Sequence, residues 1–157
     1  MKSNEIPKEG IGPLQGLKVI LAGAATAGPY AATMMSDFGA DVIHVENNNS
    51  NRVVKAYEQD HRNQRNIALD IPSEEGRKIF MKLLKDADVF IESSKGGQWK
   101  KWGLTDDVLW EVNPALVIVH VSGFGQEGDP NYVKRASWDG VGNAFGAVTF
   151  QNGLPDM

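Results

Sequence analysis

The feature that most constrains the fold is a strand, a short turn of small residues, a helix and a second strand, all within residues 17–46. The apolar run Leu17–Leu21 predicts a buried strand, and residues 23–29 (GAATAGP) provide the turn. A helix is predicted over Tyr30–Phe38, and the alternating segment Asp41–Glu46 predicts the second strand. This order is typical of a βαβ unit, whose strands are parallel and whose crossover should be right-handed.

The rest of the chain continues the alternation of strands and helices. The predicted elements are, in chain order, an extended segment Ile67–Ile71, a helix from Glu74 to Asp86, a strand Val89–Ser93, a helix Asp106–Val112 and a strand Leu116–Ser122. This pattern predicts an α/β fold, with a Rossmann-like, mostly parallel sheet and helices on both faces. The polar stretch Asn47–Asn66 is expected to run over the surface.

Residues at the helix ends support these boundaries. Pro29 suits the first position of the first helix because its missing N–H would be unpaired there, and Gly39 closes that helix. Ser73 and Thr105 are predicted to be the N-caps of two later helices. The helix after Ser73 has an apolar face that should pack against the sheet. This face comprises Ile79, Phe80, Leu83, Leu84 and Ala87.

Length and composition fit one globular domain and exclude several kinds of protein. The chain has 157 residues, no cysteine and a formal net charge of −4. A disulfide scaffold, a thiolate zinc site and a cysteine nucleophile are therefore excluded, and nucleic acid is not an expected partner. Because no apolar run is long enough for a membrane and the start lacks a signal peptide, a cytoplasmic protein without a membrane partner is expected. Residues 1–15 are interpreted as a flexible arm and residues 16–157 as the domain.

Three loops follow predicted strands, where an open parallel sheet binds its ligands. The first, Gly23–Tyr30, has small residues that would let an anion approach a helix N-terminus, although tight strand–helix packing explains the same pattern. The second, Glu92–Gly103, has three lysines and two tryptophans. These would suit a ligand with phosphates and an aromatic base, and a solvated loop is the alternative. The third, Val121–Asp139, is glycine-rich at its start and is either a ligand loop or an ordinary flexible loop.

No single motif in the sequence identifies a reaction. His44 and His120 lie inside strand patterns and are interpreted as structural, whereas His61 lies in a polar stretch and is expected to be solvated. No Ser, His and Asp spacing resembles a nucleophile elbow, and no cluster has metal-ligand spacing, so no metal site is predicted. The glycine spacing after Leu21 differs from G-x-G-x-x-G, which disfavours a nucleotide-binding oxidoreductase.

Short motifs in a fixed order extend across residues 13–153. They are Gly16–Val19 (GLKV), Ala27–Ala31 (AGPYA), Phe38–Glu46 (FGADVIHVE), Asn63–Asp70 (NQRNIALD), Ala87–Gly97 (ADVFIESSKGG), Trp102–Leu104 (WGL), Asn113–Pro114 and Ser122–Gln126 (SGFGQ). Together they resemble the N-terminal part of the class III CoA-transferases. Residues 92–98 and 125–130 resemble the carnitine and bile-acid branch more than the formyl branch.

The resemblance implies that CoA moves from an acyl-CoA donor to a carboxylic acid acceptor, such as a 2-hydroxy or unsaturated acid. In the family an Asp carboxylate attacks the thioester, giving an acyl–enzyme anhydride and then an enzyme–CoA thioester. Coenzyme A and acyl-CoA are substrates, and no covalently bound cofactor is implied. The resemblance also implies an interlocked homodimer for a full-length parent.

Matching positions imply a set of CoA-binding residues. The set consists of Ala25 and Thr26 near the thiol end, Leu69, Asp70, Ser93, Ser94 and Lys95 near the nucleotide, and Lys101 near a phosphate. In the carnitine branch the phosphate-binding base falls where this chain has Trp102, and Asn47 stands where the formyl branch has an arginine. Asp139 matches a carboxylate near the reacting centre in some members and is a candidate accessory catalytic residue.

The family's nucleophilic Asp corresponds to a position beyond Met157. Asp156 comes too early to match it and is interpreted as a loop acid. The resemblance therefore implies that a full-length parent is the enzyme and that this chain alone is inactive. A non-catalytic CoA- or nucleotide-binding module is the alternative.

Overall fold

The computed structural model describes residues 12–24, 26–47 and 60–152, and a five-stranded sheet forms its centre. The strands are β1 (Lys18–Ala22), β2 (Asp41–Glu46), β3 (Arg65–Ala68), β4 (Val89–Glu92) and β5 (Val117–His120). They pair in the order β3-β2-β1-β4-β5, and each neighbouring pair is parallel. The predicted α/β class with a parallel sheet is confirmed.

Helices connect the strands and continue after the last one. They are α1 (Ala27–Asp37), α2 (Glu74–Lys85), α3 (Gln98–Lys101), α4 (Asp106–Val112), α5 (Pro130–Val133), α6 (Asp139–Phe145) and α7 (Val148–Gln151). Helix α1 leads from β1 to β2, α2 leads from β3 to β4, and α3 and α4 lie between β4 and β5. No helix in the described ranges is both long and apolar enough to cross a membrane.

Each face of the sheet buries its own hydrophobic core, because side chains alternate between the two faces along a strand. The core on the face covered by α2, α3 and α4 includes Ile20, Val45, Phe80, Leu84, Phe90, Trp99, Leu104 and Leu109. The core on the face covered by α1 includes Val19, Leu21, Ala32, Val42 and Ile91. Helices therefore cover both faces of the sheet, as predicted.

Helix α1 starts earlier than its sequence predicts. It begins at Ala27, so Pro29 is the third helical residue and the prediction that it is the first is wrong. Proline is still compatible with this position, because the N–H groups of the first turn have no partner within the helix. Gly39 follows the helix with a φ of 100°, which confirms the predicted glycine stop.

Residues 12–15, the end of the predicted arm, lie against the C-terminal end of α1. The Leu14 N–H donates a hydrogen bond to the Phe38 carbonyl at 3.0 Å. Gly12 lies so close to that carbonyl that a Cβ would be 2.1 Å from its oxygen. Residues 1–11 lie outside the described part of the chain, so the interpretation as an arm stays a prediction for them.

Helix α2 begins at a side-chain cap. Ser73 Oγ accepts a hydrogen bond from the Gly76 N–H at 3.0 Å, which confirms Ser73 as the N-cap. Glu74 and Glu75 occupy the first turn, where the helix dipole favours acidic groups. Hydrogen bonds to Glu74 and Glu75 raise the pKa of Lys78 above its ordinary value.

The buried face of α2 is narrower than predicted. Phe80 and Leu84 are fully buried in the core, and Ala87 just after the helix is buried as well. Ile79 is 40% exposed, so the prediction that it belongs to the packing face is wrong. It lies at the edge of the apolar stripe, where the sheet no longer covers it.

The segment before α2 is more ordered than its polar sequence predicts. Residues 48–59 lie outside the described part of the chain, but Asp60 is 4% exposed and β3 begins at Arg65. The predicted surface path over residues 47–66 is therefore wrong at Asp60, whereas Arg62, Asn63 and residues 65–66 are exposed, as predicted. The extended segment expected at Ile67–Ile71 starts and ends earlier, because pairing with β2 fixes where β3 lies.

The last described part of the chain contributes little to either core. Helices α6 and α7 have no buried residue. Strand β5 forms one edge of the sheet, and no strand in the described residues pairs with its outer side. Val117 and Val119 of this strand are 56% and 38% exposed.

The substitution Gly76→Ala should destabilise the domain, because a Cβ at this position would lie 2.0 Å from the Asp70 carbonyl oxygen. We expect the free energy of unfolding, measured by urea denaturation, to fall by about 1–3 kcal/mol. Gly140→Ala is the matched control, since a Cβ at that helical glycine meets nothing within 4 Å and alanine favours helix. Equal losses for the two variants would contradict the packing argument.

The substitution Ser73→Ala should lower the free energy of unfolding by about 1 kcal/mol, because the Gly76 N–H would lose its capping oxygen. Thr105 is the control, since it precedes α4 without a side-chain capping bond. Urea denaturation should show a smaller loss for Thr105→Ala than for Ser73→Ala. The reverse order would show that the cap of α2 does not stabilise the fold.

Candidate functional site

The carboxyl ends of β1 and β4 form the centre of the candidate site. The two strands are neighbours, with Leu21 beside Ile91 and Ala22 beside Glu92. After β1 the chain continues to β2 on one side, and after β4 it continues to β5 on the other side. Open α/β sheets bind ligands in the crevice where their connections diverge in this way.

Ser93, the first residue after β4, binds the loop that follows β1. Its hydroxyl accepts a hydrogen bond from the Ala24 N–H and donates one to the Ala24 carbonyl, both at 3.1 Å. A Cβ at Gly23 would lie 2.4 Å from Ser93 Oγ, and one at Gly28 would lie 2.9 Å from Ser93 Cβ. The glycines of this loop therefore serve close packing against β4.

Thr26 is exposed at the N-terminus of α1. Its side chain makes no capping bond to the helix, so the hydroxyl is available to a ligand. The N–H groups of the first turn of α1 carry the positive end of the helix dipole, which favours an anion. Ala25, the other residue expected near the CoA thiol, lies outside the described residues.

Glu92, the last residue of β4, holds the loop that follows this strand. Its side chain is fully buried, and Oε2 accepts hydrogen bonds from the Ser94 N–H at 2.6 Å and from the Trp99 indole N–H at 2.8 Å. Ser94 Oγ lies 3.3 Å from the same indole nitrogen. Ser93 and Ser94 thus both bind groups of the protein itself, and they shape the two loops of the crevice.

Lys95 and Lys101 extend from this second loop into solvent. Both side chains are exposed, as is that of Lys100, and Lys95 and Lys101 form no ion pair within the described residues. Helix α3, which carries Lys100 and Lys101, is anchored by Trp99. The Trp99 ring packs against Phe90 with 5.0 Å between the ring centroids. The result is a positively charged patch on a fixed support.

Leu69 and Asp70 lie at the same edge of the sheet, but farther along it. They follow β3, which is three strand spacings, or about 14 Å, away from β4. Leu69 is 8% exposed and its side chain is part of the core, so only its backbone faces a ligand. Asp70 is exposed. A ligand that contacts these residues and Lys95 together must be long and must lie along the edge.

The loop after β5 borders the loop after β4. Gln126 Oε1 accepts a hydrogen bond from the Gly97 N–H at 3.4 Å, and Gln126 Nε2 donates one to Glu92 Oε1 at 3.3 Å. A Cβ at Gly96 would lie 2.8 Å from the Gly125 carbonyl oxygen, so the two loops are in close contact. The second and third candidate loops therefore form one surface.

Asp139 is the first residue of α6 and is exposed. Its Oδ2 accepts a hydrogen bond from Asn143 Nδ2 at 3.1 Å, within the same helix. Phe145 of α6 packs against Phe124 with 5.2 Å between the ring centroids, which connects this helix to the loop after β5. Within the described residues, no hydrogen bond or ion pair joins Asp139 to the loops after β1 and β4.

The histidines contact other residues of the fold. His44 Nε2 lies 2.9 Å from a backbone carbonyl of the loop after β1, and His120 lies between the carboxylates of Glu92 and Asp106 at 2.8 and 3.1 Å. Both agree with the structural role predicted for them. His61 stacks on His44 with 4.6 Å between the ring centroids and is half-buried, so the prediction that it is solvated holds only in part.

Sequence reasoning did not identify Glu92 and Gln126 as organising residues. The sequence does give one indication of the role of Glu92, which is an acid at the end of the otherwise apolar strand VFIE. It gives no indication for Gln126, because the contacts of that side chain depend on how two loops approach each other. In the described part of the chain, no group of three His, Asp or Glu side chains is arranged to hold a metal ion.

Comparison with known proteins gives matches over almost the whole chain. The model of CoA-transferase family III matches residues 14–157. A bile acid CoA-transferase of Clostridium scindens is 50% identical over 155 residues, which cover 97% of this chain and 35% of that protein. An L-carnitine CoA-transferase of Proteus mirabilis is 43% identical over 159 residues, which cover 99% of this chain and 39% of that protein. The chain thus spans less than two-fifths of the length of these relatives.

A solved structure agrees with these matches. A CAIB/BAIF family protein from Brucella suis superposes with a TM-score of 0.84 and 34% identity, over 94% of this chain and 42% of that chain. The parallel sheet and the loops at its carboxyl edge lie within the residues that the family model matches. The chain belongs to CoA-transferase family III.

Proposed function

We propose that this chain supplies the CoA-binding part of an enzyme that moves CoA from an acyl-CoA donor to a carboxylic acid acceptor. The observation that carries the proposal is the crevice between β1 and β4, where Ser93 binds the small-residue loop before α1 and the loop after Ser93 carries exposed Lys95 and leads to exposed Lys101 in α3. Positive charge and free N–H groups suit a phosphate-bearing ligand. Family membership and the names of the relatives support CoA as this ligand.

Each predicted CoA-binding residue receives a role that fits its surroundings. Lys95 and Lys101 bind phosphates, and the Thr26 hydroxyl lies near the thiol end together with Ala25. Ser93 and Ser94 act indirectly, because their hydrogen bonds hold the two loops in place. The Leu69 backbone and Asp70 hold the far end of the nucleotide, which an extended ligand such as CoA would reach.

The proposed chemistry divides the transfer into easier steps. An Asp carboxylate attacks the thioester carbonyl, so that a mixed anhydride forms and the CoA thiolate leaves. The thiolate then attacks the enzyme's own acyl carbon, which releases the donor acid and leaves an enzyme–CoA thioester. The acceptor carboxylate then attacks the enzyme–CoA thioester, so that a second anhydride forms and CoA thiolate leaves. The thiolate attacks the acceptor's acyl carbon, which gives the new acyl-CoA and frees the Asp carboxylate. We place the nucleophile beyond Met157 and assign Asp139 an accessory role.

The acceptor and the assembly are further parts of this proposal. Because the relatives are named for a bile acid and for L-carnitine, we propose a bile acid or a small carboxylic acid of the carnitine kind as acceptor. A 2-hydroxy or unsaturated acid is included in this class. The full-length enzyme is proposed to be an interlocked homodimer.

Removing either lysine should weaken CoA binding by this chain. A charged hydrogen bond contributes about 1.5–3 kcal/mol, so Lys95→Ala and Lys101→Ala should each raise the Kd for CoA roughly tenfold or more in calorimetric titration. Lys85→Ala is the matched control, because Lys85 ends α2 at the opposite, amino edge of the sheet. Binding unchanged in both lysine variants, or weakened equally in the control, would contradict the phosphate role.

The 157-residue chain alone should transfer no CoA from a labelled acyl-CoA donor to an acceptor acid, because the proposed nucleophile is not part of it. The same preparation should still bind CoA, which separates missing chemistry from a missing fold. Turnover above background would contradict the assignment of the nucleophile. A coding sequence that continues into an Asp-containing segment would support the enzyme, whereas a stop codon after Met157 would favour a non-catalytic CoA-binding module.

A further inference from the structure

Glu92 places a carboxylate inside a hydrophobic core. Its side chain is 0% exposed, and it lies on the face of the sheet that also buries Phe90 and Trp99. Burying a carboxylate is unfavourable unless hydrogen-bond donors surround it, and an apolar side chain of similar size often packs in such a place at no loss of stability. Packing alone therefore does not account for an acid at this position.

The Glu92 carboxylate contacts polar groups from four separate parts of the chain. Oε2 accepts hydrogen bonds from the Ser94 N–H at 2.6 Å, in the loop after β4, and from the Trp99 indole at 2.8 Å, in α3. Oε1 lies 2.8 Å from His120 Nδ1, at the end of β5, and 3.3 Å from Gln126 Nε2, in the loop after β5. One side chain thus joins two loops, a strand end and a helix.

The network holds the loop that carries Lys95 from both ends. At one end the Ser94 N–H binds Glu92 directly, and at the other the Gly97 N–H donates to Gln126 Oε1. Trp99 extends the same support to α3, whose last residue is Lys101. Both lysines are therefore attached to backbone whose position depends on one buried carboxylate.

His120 connects the network to a further helix. Its Nδ1 lies 2.8 Å from Glu92 Oε1 and its Nε2 lies 3.1 Å from Asp106 Oδ1, at the start of α4. The ring is thus held between the buried carboxylate of β4 and the first residue of α4. The imidazole therefore fixes the direction of the Glu92 carboxylate.

We propose that Glu92 is a positioning residue for CoA binding: its buried carboxylate holds residues 94–101 in the conformation that presents Lys95 and Lys101 to the phosphates of CoA. The inference rests on the proposed function, because it assigns CoA to this site. Glu92 itself does not touch the ligand and acts only through the loop and α3.

The substitution Glu92→Gln tests the proposal by calorimetric titration of the chain with CoA. The amide replaces one acceptor oxygen with an NH2 group that faces donors, so the loop should lose its fixed position and the Kd should rise about tenfold. Asn113→Ala is the matched control, since the Asn113 side chain donates to Leu84 and Ala87 carbonyls at 2.9 and 2.7 Å, on the amino side of the sheet. It should lower the melting temperature without changing the Kd. An equal loss of affinity in this control would overturn the proposal.

A double-mutant cycle separates positioning from general damage. If Glu92 acts through the lysines, Glu92→Gln should weaken CoA binding about tenfold in the unmodified chain but less than about threefold in Lys95→Ala/Lys101→Ala. Equal effects in the two backgrounds would show that Glu92 acts elsewhere and would overturn the proposal.

Amide hydrogen exchange tests the positioning without any ligand. In the unmodified chain the Ser94 N–H should exchange slowly, and in Gln126→Ala, a change at an exposed side chain that leaves both cores intact, the Gly97 N–H should exchange faster. Fast exchange at Ser94 in the unmodified chain would overturn the proposal even if Glu92→Gln fails to fold. Slow exchange at Ser94 together with no CoA binding by the unmodified chain would instead overturn the proposed function, and with it the assignment of CoA to this loop.

Discussion

The site depends on the contact between Ser93 and the backbone of Ala24. This one hydroxyl binds both the N–H and the carbonyl of a single residue, at the point where β1 and β4 end side by side. Only residues without a Cβ fit against it at positions 23 and 28. The small residues after β1, the helix start behind them and the lysine loop after β4 are all placed relative to this contact.

Much of the fold was predictable because its signals are local. The strand Asp41–Glu46 was predicted with its observed bounds, and Ser73 caps α2 as its position before two glutamates indicates. The predictions failed where a distant partner decides. Strand β3 starts at Arg65 because it pairs with β2, and His61 is half-buried because it stacks on His44. The polar sequence before residue 67 does not show that its residues pair with β2 or stack on His44.

The candidate site was predictable in outline and not in detail. Parallel strands bring their carboxyl ends to one edge, so the loops that contain Thr26 and Lys95 were expected there from the order of the elements. Asp70 was expected there only from the resemblance to the family. The roles inside the loops depend on where side chains point. Ser94 binds Glu92 through its N–H, and Leu69 turns its side chain into the core. A pattern of residue types carries no information on such directions.

The edge position of β5 affects how this chain behaves in solution. On the described part of the molecule the outer side of β5 is unpaired, and two valines of the strand are partly exposed. Unpaired strand edges with apolar side chains are templates for pairing between molecules. Pairing of two isolated chains through this edge would increase with protein concentration, and it would take place one strand away from β4, next to the loops of the candidate site.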